Sequence, residues 1–232
     1  MLAGELLTLC ELGTLPPADQ IGVLLTGDLH CDPELARRGG IGDVRSVWEA
    51  FAASFAFVAG VAGNHDMFGS DADFAAFRRG AGRHILDLDV RTLGGLKVGG
   101  LSGIVGDTKR PNRRSSEEFL DAIALLLLES IDVLVLHDAP ALPERNQKGN
   151  EGLRALLDVG PPIVVACGHH HWDDPLVELA SGALILNVDS RCVVLRNVPE
   201  VALTDPFRHP LQTNTCSITF EPPRRSSTCS KK

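Results

Sequence analysis

Short apolar runs alternate with helical stretches along most of the chain, and three of the runs stop at a polar cluster. Phe55-Ala56-Phe57-Val58-Ala59-Gly60-Val61-Ala62 ends at Gly63-Asn64-His65-Asp66, Ile131-Asp132-Val133-Leu134-Val135-Leu136 ends at His137, and Pro162-Ile163-Val164-Val165-Ala166-Cys167 ends at Gly168-His169-His170-His171. A fourth run, Ile21-Gly22-Val23-Leu24-Leu25, delivers Gly27-Asp28-Leu29-His30. Runs of this length bounded by glycine read as buried strands, and the helical stretches between them predict a layered α/β fold. Helical spacing holds from residue 3 to about residue 11 and stops before Pro16-Pro17, and a second helix begins near Asp43 and carries Val47, Trp48 and Phe51. Residues 90–105 alternate glycine with apolar side chains, as paired strands with tight backbone approaches do. Residues 115–130 form the strongest predicted helix: Ser115 or Ser116 caps it, Glu117 and Glu118 lie in its first turn, and leucines fill its interior. Residues 183–188 and 192–195 read as two closing strands. Beyond residue 198 the periodicity is lost, which predicts one domain over 1–198 and a loosely ordered or disordered tail over 199–232.

Composition narrows the classes this fold can serve. With 232 residues and 44% hydrophobic content the chain can bury one substantial core. Its 22 basic against 30 acidic residues give a net charge of −8, which argues against nucleic acid or an anionic membrane as partner. No apolar stretch is long enough to span a bilayer, and the N-terminus lacks the basic region of a signal peptide, so the expectation is a soluble, cytoplasmic protein. The six cysteines, Cys10, Cys31, Cys167, Cys192, Cys216 and Cys229, contain no CxxC pair, which fits a reducing compartment.

Taken in order, Gly27-Asp28, Gly63-Asn64-His65-Asp66, His137 and Gly168-His169-His170-His171 resemble the motifs of the calcineurin-like metallophosphoesterase family, which run D-x-H, G-D, G-N-H-[DE], H and G-H-x-H. The likeness covers roughly residues 1–195. It implies an α/β sandwich of two mixed β-sheets flanked by helices, with a two-metal site at the strand ends. Two metals about 4 Å apart need a bridging carboxylate, neutral nitrogens and an amide oxygen. Asp28 is the natural bridge. By resemblance Asn64, His137 and His169 complete one metal position and His171 serves the other, while His170 points elsewhere. The same resemblance gives His65 the task of protonating the leaving oxygen or holding the phosphate, with Asp66 orienting its ring. The implied reaction is hydrolysis of a phosphomonoester or phosphodiester by metal-bound hydroxide, with Mn, Fe or Zn as cofactor, one or two ions per chain. The partner is then a phosphate-ester small molecule or a phosphoprotein.

The opening motif has two registers. In one, Asp28-Leu29-His30 is the D-x-H and Gly42-Asp43 is the G-D, which requires a buried strand over residues 34–40 that Glu34, Arg37 and Arg38 do not suit. In the other, Gly27-Asp28 is the G-D, residues 3–20 follow the first motif, and the D-x-H with its strand is missing. The second register fits the apolar runs better. It leaves one metal short of ligands, and it opens a reading of a different class: a catalytically weak family member that acts as a binding or regulatory protein. Other polar segments read first as solvated. The loop at residues 37–42 is a candidate phosphate contact, Asp107, Lys109, Arg110, Arg113 and Arg114 form a mixed charged loop, and Arg224-Arg225-Ser226-Ser227 resembles a phosphorylatable site.

Overall fold

The computed structural model describes residues 2–30 and 40–196. Arg37, Arg38, Cys31, Cys216, Cys229, residues 224–227 and the predicted tail lie outside these residues. Helix α1 (Leu2–Glu11) precedes strand β1 (Gly22–Leu25), and β2 (Gly42–Asp43), α2 (Arg45–Ala52), β3 (Phe57–Gly60), β4 (Asp66–Met67), α3 (Asp71–Arg78) and β5 (Arg83–Ile85) follow. A hairpin of β6 (Asp89–Leu93) and β7 (Leu96–Leu101) leads to β8 (Ile104–Val105), β9 (Arg113–Arg114) and α4 (Ser116–Leu128). The rest is β10 (Val133–Leu136), α5 (Glu151–Val159), β11 (Val164–Cys167), β12 (Leu176–Glu178) and β13 (Leu184–Asn187).

These strands make two main sheets. The smaller, in order β1-β3-β5, is parallel throughout, and the larger, β12-β13-β11-β10-β7-β6, is mixed, with parallel central strands and antiparallel β12 and β6 at its edges. Parallel strands buried on both faces explain why the sequence shows unbroken apolar runs rather than alternation. Side chains still alternate between layers: Val133 and Val135 of β10 pack with Ala59, Val61 and Leu86 between the two sheets, whereas Leu134 and Leu136 pack under α4 and α5 with Phe119, Ile123 and Leu157. On the far face of the small sheet, α1, α2 and α3 cover Val58 and Ile85 with Trp48, Phe51 and Phe77. The result is a four-layer helix–sheet–sheet–helix stack.

Local signals carry much of this. Ser115 caps α4, its hydroxyl accepting from the Glu118 amide while the Glu118 carboxylate takes the Ser115 amide, so the helix starts where its serines predict. Gly94 and Gly95, both left-handed, turn the β6–β7 hairpin. Some elements differ from the sequence reading. No strand forms over residues 192–195; β13 already has β11 on one side and the unanticipated β12 on the other, so it offers no free edge. Gly42-Asp43 is a strand of two residues that pairs with β4, outside both main sheets. Strand β1 pairs with β3 alone among the described residues and leaves Val23 and Leu24 half-buried.

Residues Met1–Ser190 form one compact unit, and the chain from Arg191 onward a second, of which residues 191–196 are described and carry no regular structure. The boundary expected at residue 198 falls outside the described residues. No helix among the described residues is long and apolar enough to cross a membrane.

Candidate metal centre

The C-terminal ends of β1, β3, β10 and β11 meet: the segments that follow them bring Thr26, Asp28, Asn64, His137 and His169 together where the two sheets face each other. The turns after β1 and β3 pass so close that a Cβ on Gly27 would sit 2.3 Å from the Gly63 nitrogen, and one on Gly63 would sit 2.1 Å from the Asp28 carboxylate. Only glycine permits this crossing. Asp66 then fastens it. Its buried carboxylate accepts from the amides of Asp28 (2.8 Å), Leu29 (2.9 Å) and Gly63 (2.8 Å). Asn112 adds a clamp from the β8–β9 loop, its side-chain amide donating to the carbonyls of Gly63 at 2.9 Å and Asp66 at 2.8 Å.

Asp28, His137 and His169 bring one ligand atom each within 4.8 Å of one another, the one such cluster among the described residues. Asn64 joins them. His137 is 1% exposed, and its Nδ1 lies 2.7 Å from the Thr26 carbonyl oxygen, which can only accept, so that nitrogen carries the ring proton. When the ring is neutral, Nε2 then points a lone pair toward Asn64 Oδ1 and Asp28 Oδ2, each 3.2 Å away and each an acceptor. Lone pairs converging in a buried site repel unless a proton or a cation lies among them. A carboxylate oxygen, an amide oxygen and two imidazoles are the donor set that borderline divalent metals take. The residues present thus fit one ion.

Protonation behaviour agrees with a site held together by positive charge. Burial alone would raise the Asp28 carboxyl, but the His137 hydrogen bond and charge outweigh it and hold it below the usual range. Burial would lower His137, but Asp28 and the Thr26 carbonyl outweigh it and hold it above. At His169 burial, with His137 and His170 beside it, outweighs the pull of Asp28 and pushes it down to about 4, so it presents a neutral nitrogen at pH 7. Without metal, Asp28 contributes stability that is lost as pH falls through its folded pKa, and His137 contributes stability that is lost as pH rises through its own. His169 acts against folding on the acid side, because the unfolded chain takes up a proton near 6.5 that the folded chain refuses until about 4. In chelating buffer, His169→Gln is accordingly expected to raise the urea midpoint more at about pH 5 than at about pH 7.5. Equal shifts at both would contradict the assignment.

The remaining sequence-predicted residues are placed differently. His171 is exposed and stands apart from the cluster, its Nδ1 3.2 Å from Asp189 Oδ2. Asp66 does not orient the His65 ring as expected: its oxygens accept from the backbone amides of Asp28, Leu29 and Gly63, and His65 Nδ1 is buried with no hydrogen-bond partner among the described residues. His30 rests its ring against Gly42, where a Cβ would come within 2.2 Å of it. Asp43 lies outside the cluster and receives the guanidinium of Arg45 at 2.6 Å, so the register that makes Asp43 the bridging residue gains no support. Asn112 and Asp189 were not anticipated. Both Asp28 and His169 hold left-handed backbone conformations, with φ of 53° and 64°.

A family model described as calcineurin-like phosphoesterase matches residues 6–173, a span that contains all four residues of the cluster. A search of curated proteins found no match.

Proposed function

Because the chain belongs to the calcineurin-like phosphoesterase family, we propose that it hydrolyses a phosphomonoester or phosphodiester with a divalent cation held by Asp28, Asn64, His137 and His169. The observation that carries this reading is the convergence of Asp28 Oδ2 and Asn64 Oδ1 on His137 Nε2, each 3.2 Å away, with His169 beside them. A bound ion would supply Lewis-acid polarisation of a phosphoryl oxygen and activation of the attacking water. Asp28 supplies the anionic ligand, Thr26 fixes the His137 tautomer, and Asp66 with Asn112 holds the turn that aims Asn64. His65, whose amide donates to Asp28 Oδ1 at 3.0 Å, stands at the same turn and would meet the leaving oxygen. The ion would be Mn, Fe or Zn, the substrate a small phosphate ester or a phosphoprotein, and the compartment the cytoplasm.

A second reading, a catalytically weak binding or regulatory protein, draws on one observation: His171 and Asp43 are engaged with Asp189 and Arg45 rather than with a second metal position. Equilibrium dialysis against Mn²⁺ with an aryl phosphate assay separates the two. The phosphoesterase reading expects about one tightly held ion per chain and turnover that Asn64→Ala removes. An ion bound with no turnover that depends on Asn64 would favour the binding protein.

A further inference from the structure

Beside the cluster lies a cleft of about 280 Å³ lined by Ile104, Val105, Asp138, Asn150 and His170, with His169 common to cleft and cluster. Neither Asp138 nor His170 has a task at the metal. Asp138 is 5% exposed, and its two oxygens each have one donor, the Ala139 amide at 3.0 Å and the Asn150 side-chain amide at 3.3 Å. A carboxylate oxygen accepts two hydrogen bonds, so acceptor capacity remains in a nearly buried group. His170 Nε2 lies 3.6 Å from Asp138 Oδ1, beyond a direct hydrogen bond and near enough for one hydroxyl to reach both. Asn150 cannot swing away, because its Oδ1 caps α5 by accepting from the Leu153 amide.

We infer that this cleft receives the organic group of the ester and that Asp138 and His170 select a small hydroxylated group, of pentose size, over an alkyl or aryl one. The inference rests on the phosphoesterase reading for the placement of the phosphate. A phosphate held at the cluster puts its ester substituent at the cleft, since His169 borders both. A buried acceptor with spare capacity favours a ligand that brings donors and penalises one that leaves it unpaired. Asp138 also disfavours a second anionic group there.

Isothermal titration of the Mn²⁺-loaded full chain with non-hydrolysable phosphonate analogues of ribose 5-phosphate and pentyl phosphate tests this without turnover. The sugar analogue is expected to bind at least about tenfold tighter than the pentyl one, and the ratio should fall close to one in His170→Ala and in Asp138→Asn. His170 is half-buried and loosely held, so its variant stays folded if the buried Asp138 change does not. Equal binding of the two analogues, binding of neither, or a ratio that survives His170→Ala would overturn the subsite. Aryl phosphate turnover, measured separately, decides the phosphoesterase reading, so the two can fail independently.

Discussion

Asp28→Asn is expected to weaken divalent-metal binding by about a hundredfold or more and to reduce phosphoester turnover by about a thousandfold or more. Asp28 is the only anionic member of the cluster, and the other donors are an amide oxygen and two imidazoles. Without its charge nothing compensates the dehydration of a dication at a half-buried site. Asparagine keeps the shape and an oxygen that can still accept from the His65 amide, so the turn is retained while the charge is removed. In the metal-free protein the same change withdraws the partner that holds His137 above its usual range, and its titration should move toward lower pH. Dialysis against Mn²⁺, an aryl phosphate assay and the NMR titration of His137 measure the three consequences. Wild-type metal affinity in this variant would remove Asp28 from the ligand set.

Asp66→Ala is expected to cost about 3 kcal/mol of folding stability in urea denaturation, the largest effect of any single change at the site outside the ligands. Three backbone amides lose their acceptor at once, two after β1 and one after β3, in a region too buried for water to replace it freely. The loss is smaller than three full penalties. Burial pushes the Asp66 carboxyl upward despite its amide donors, so deleting it also removes a costly buried charge. Asp66→Asn should fall between, since one oxygen is kept while an NH₂ is turned toward amide donors. Metal affinity should drop in both variants, because the crossing of the two turns sets the distance between Asp28 and Asn64. A loss below about 1 kcal/mol would show that the carboxylate is not the fastener the distances describe.

Where sequence reading succeeded and failed at this site follows from the range of each interaction. Strand ends were legible because a parallel strand buried on both faces must be apolar until the chain leaves the sheet, and Gly63, His137 and Gly168 each stand just past that point. Helix α4 was legible because Ser115 and Glu118 satisfy each other three residues apart. The partner of His171 was not, since Asp189 lies 18 residues later, beyond β13, and no spacing rule joins them. Asp66 was misread for the same reason: its side chain looked available to the adjacent His65, yet it is consumed by amides 37 and 38 residues away as well as by Gly63. Asn112 left one faint trace, an asparagine after Pro111 in a turn, which fits the left-handed conformation it adopts and says nothing of the carbonyls it clamps. The expected strand at residues 192–195 had the right residue types, but β12 had taken the edge.

His169 turns left-handed where the chain leaves β11, a conformation that an imidazole-bearing residue adopts at a cost of about 1 kcal/mol and glycine adopts freely. The backbone at this position would be more comfortable without the very side chain that completes the cluster. Folding alone would therefore favour glycine there. A chain tuned for sturdiness alone would carry glycine at 169 and lose one corner of the cluster with it.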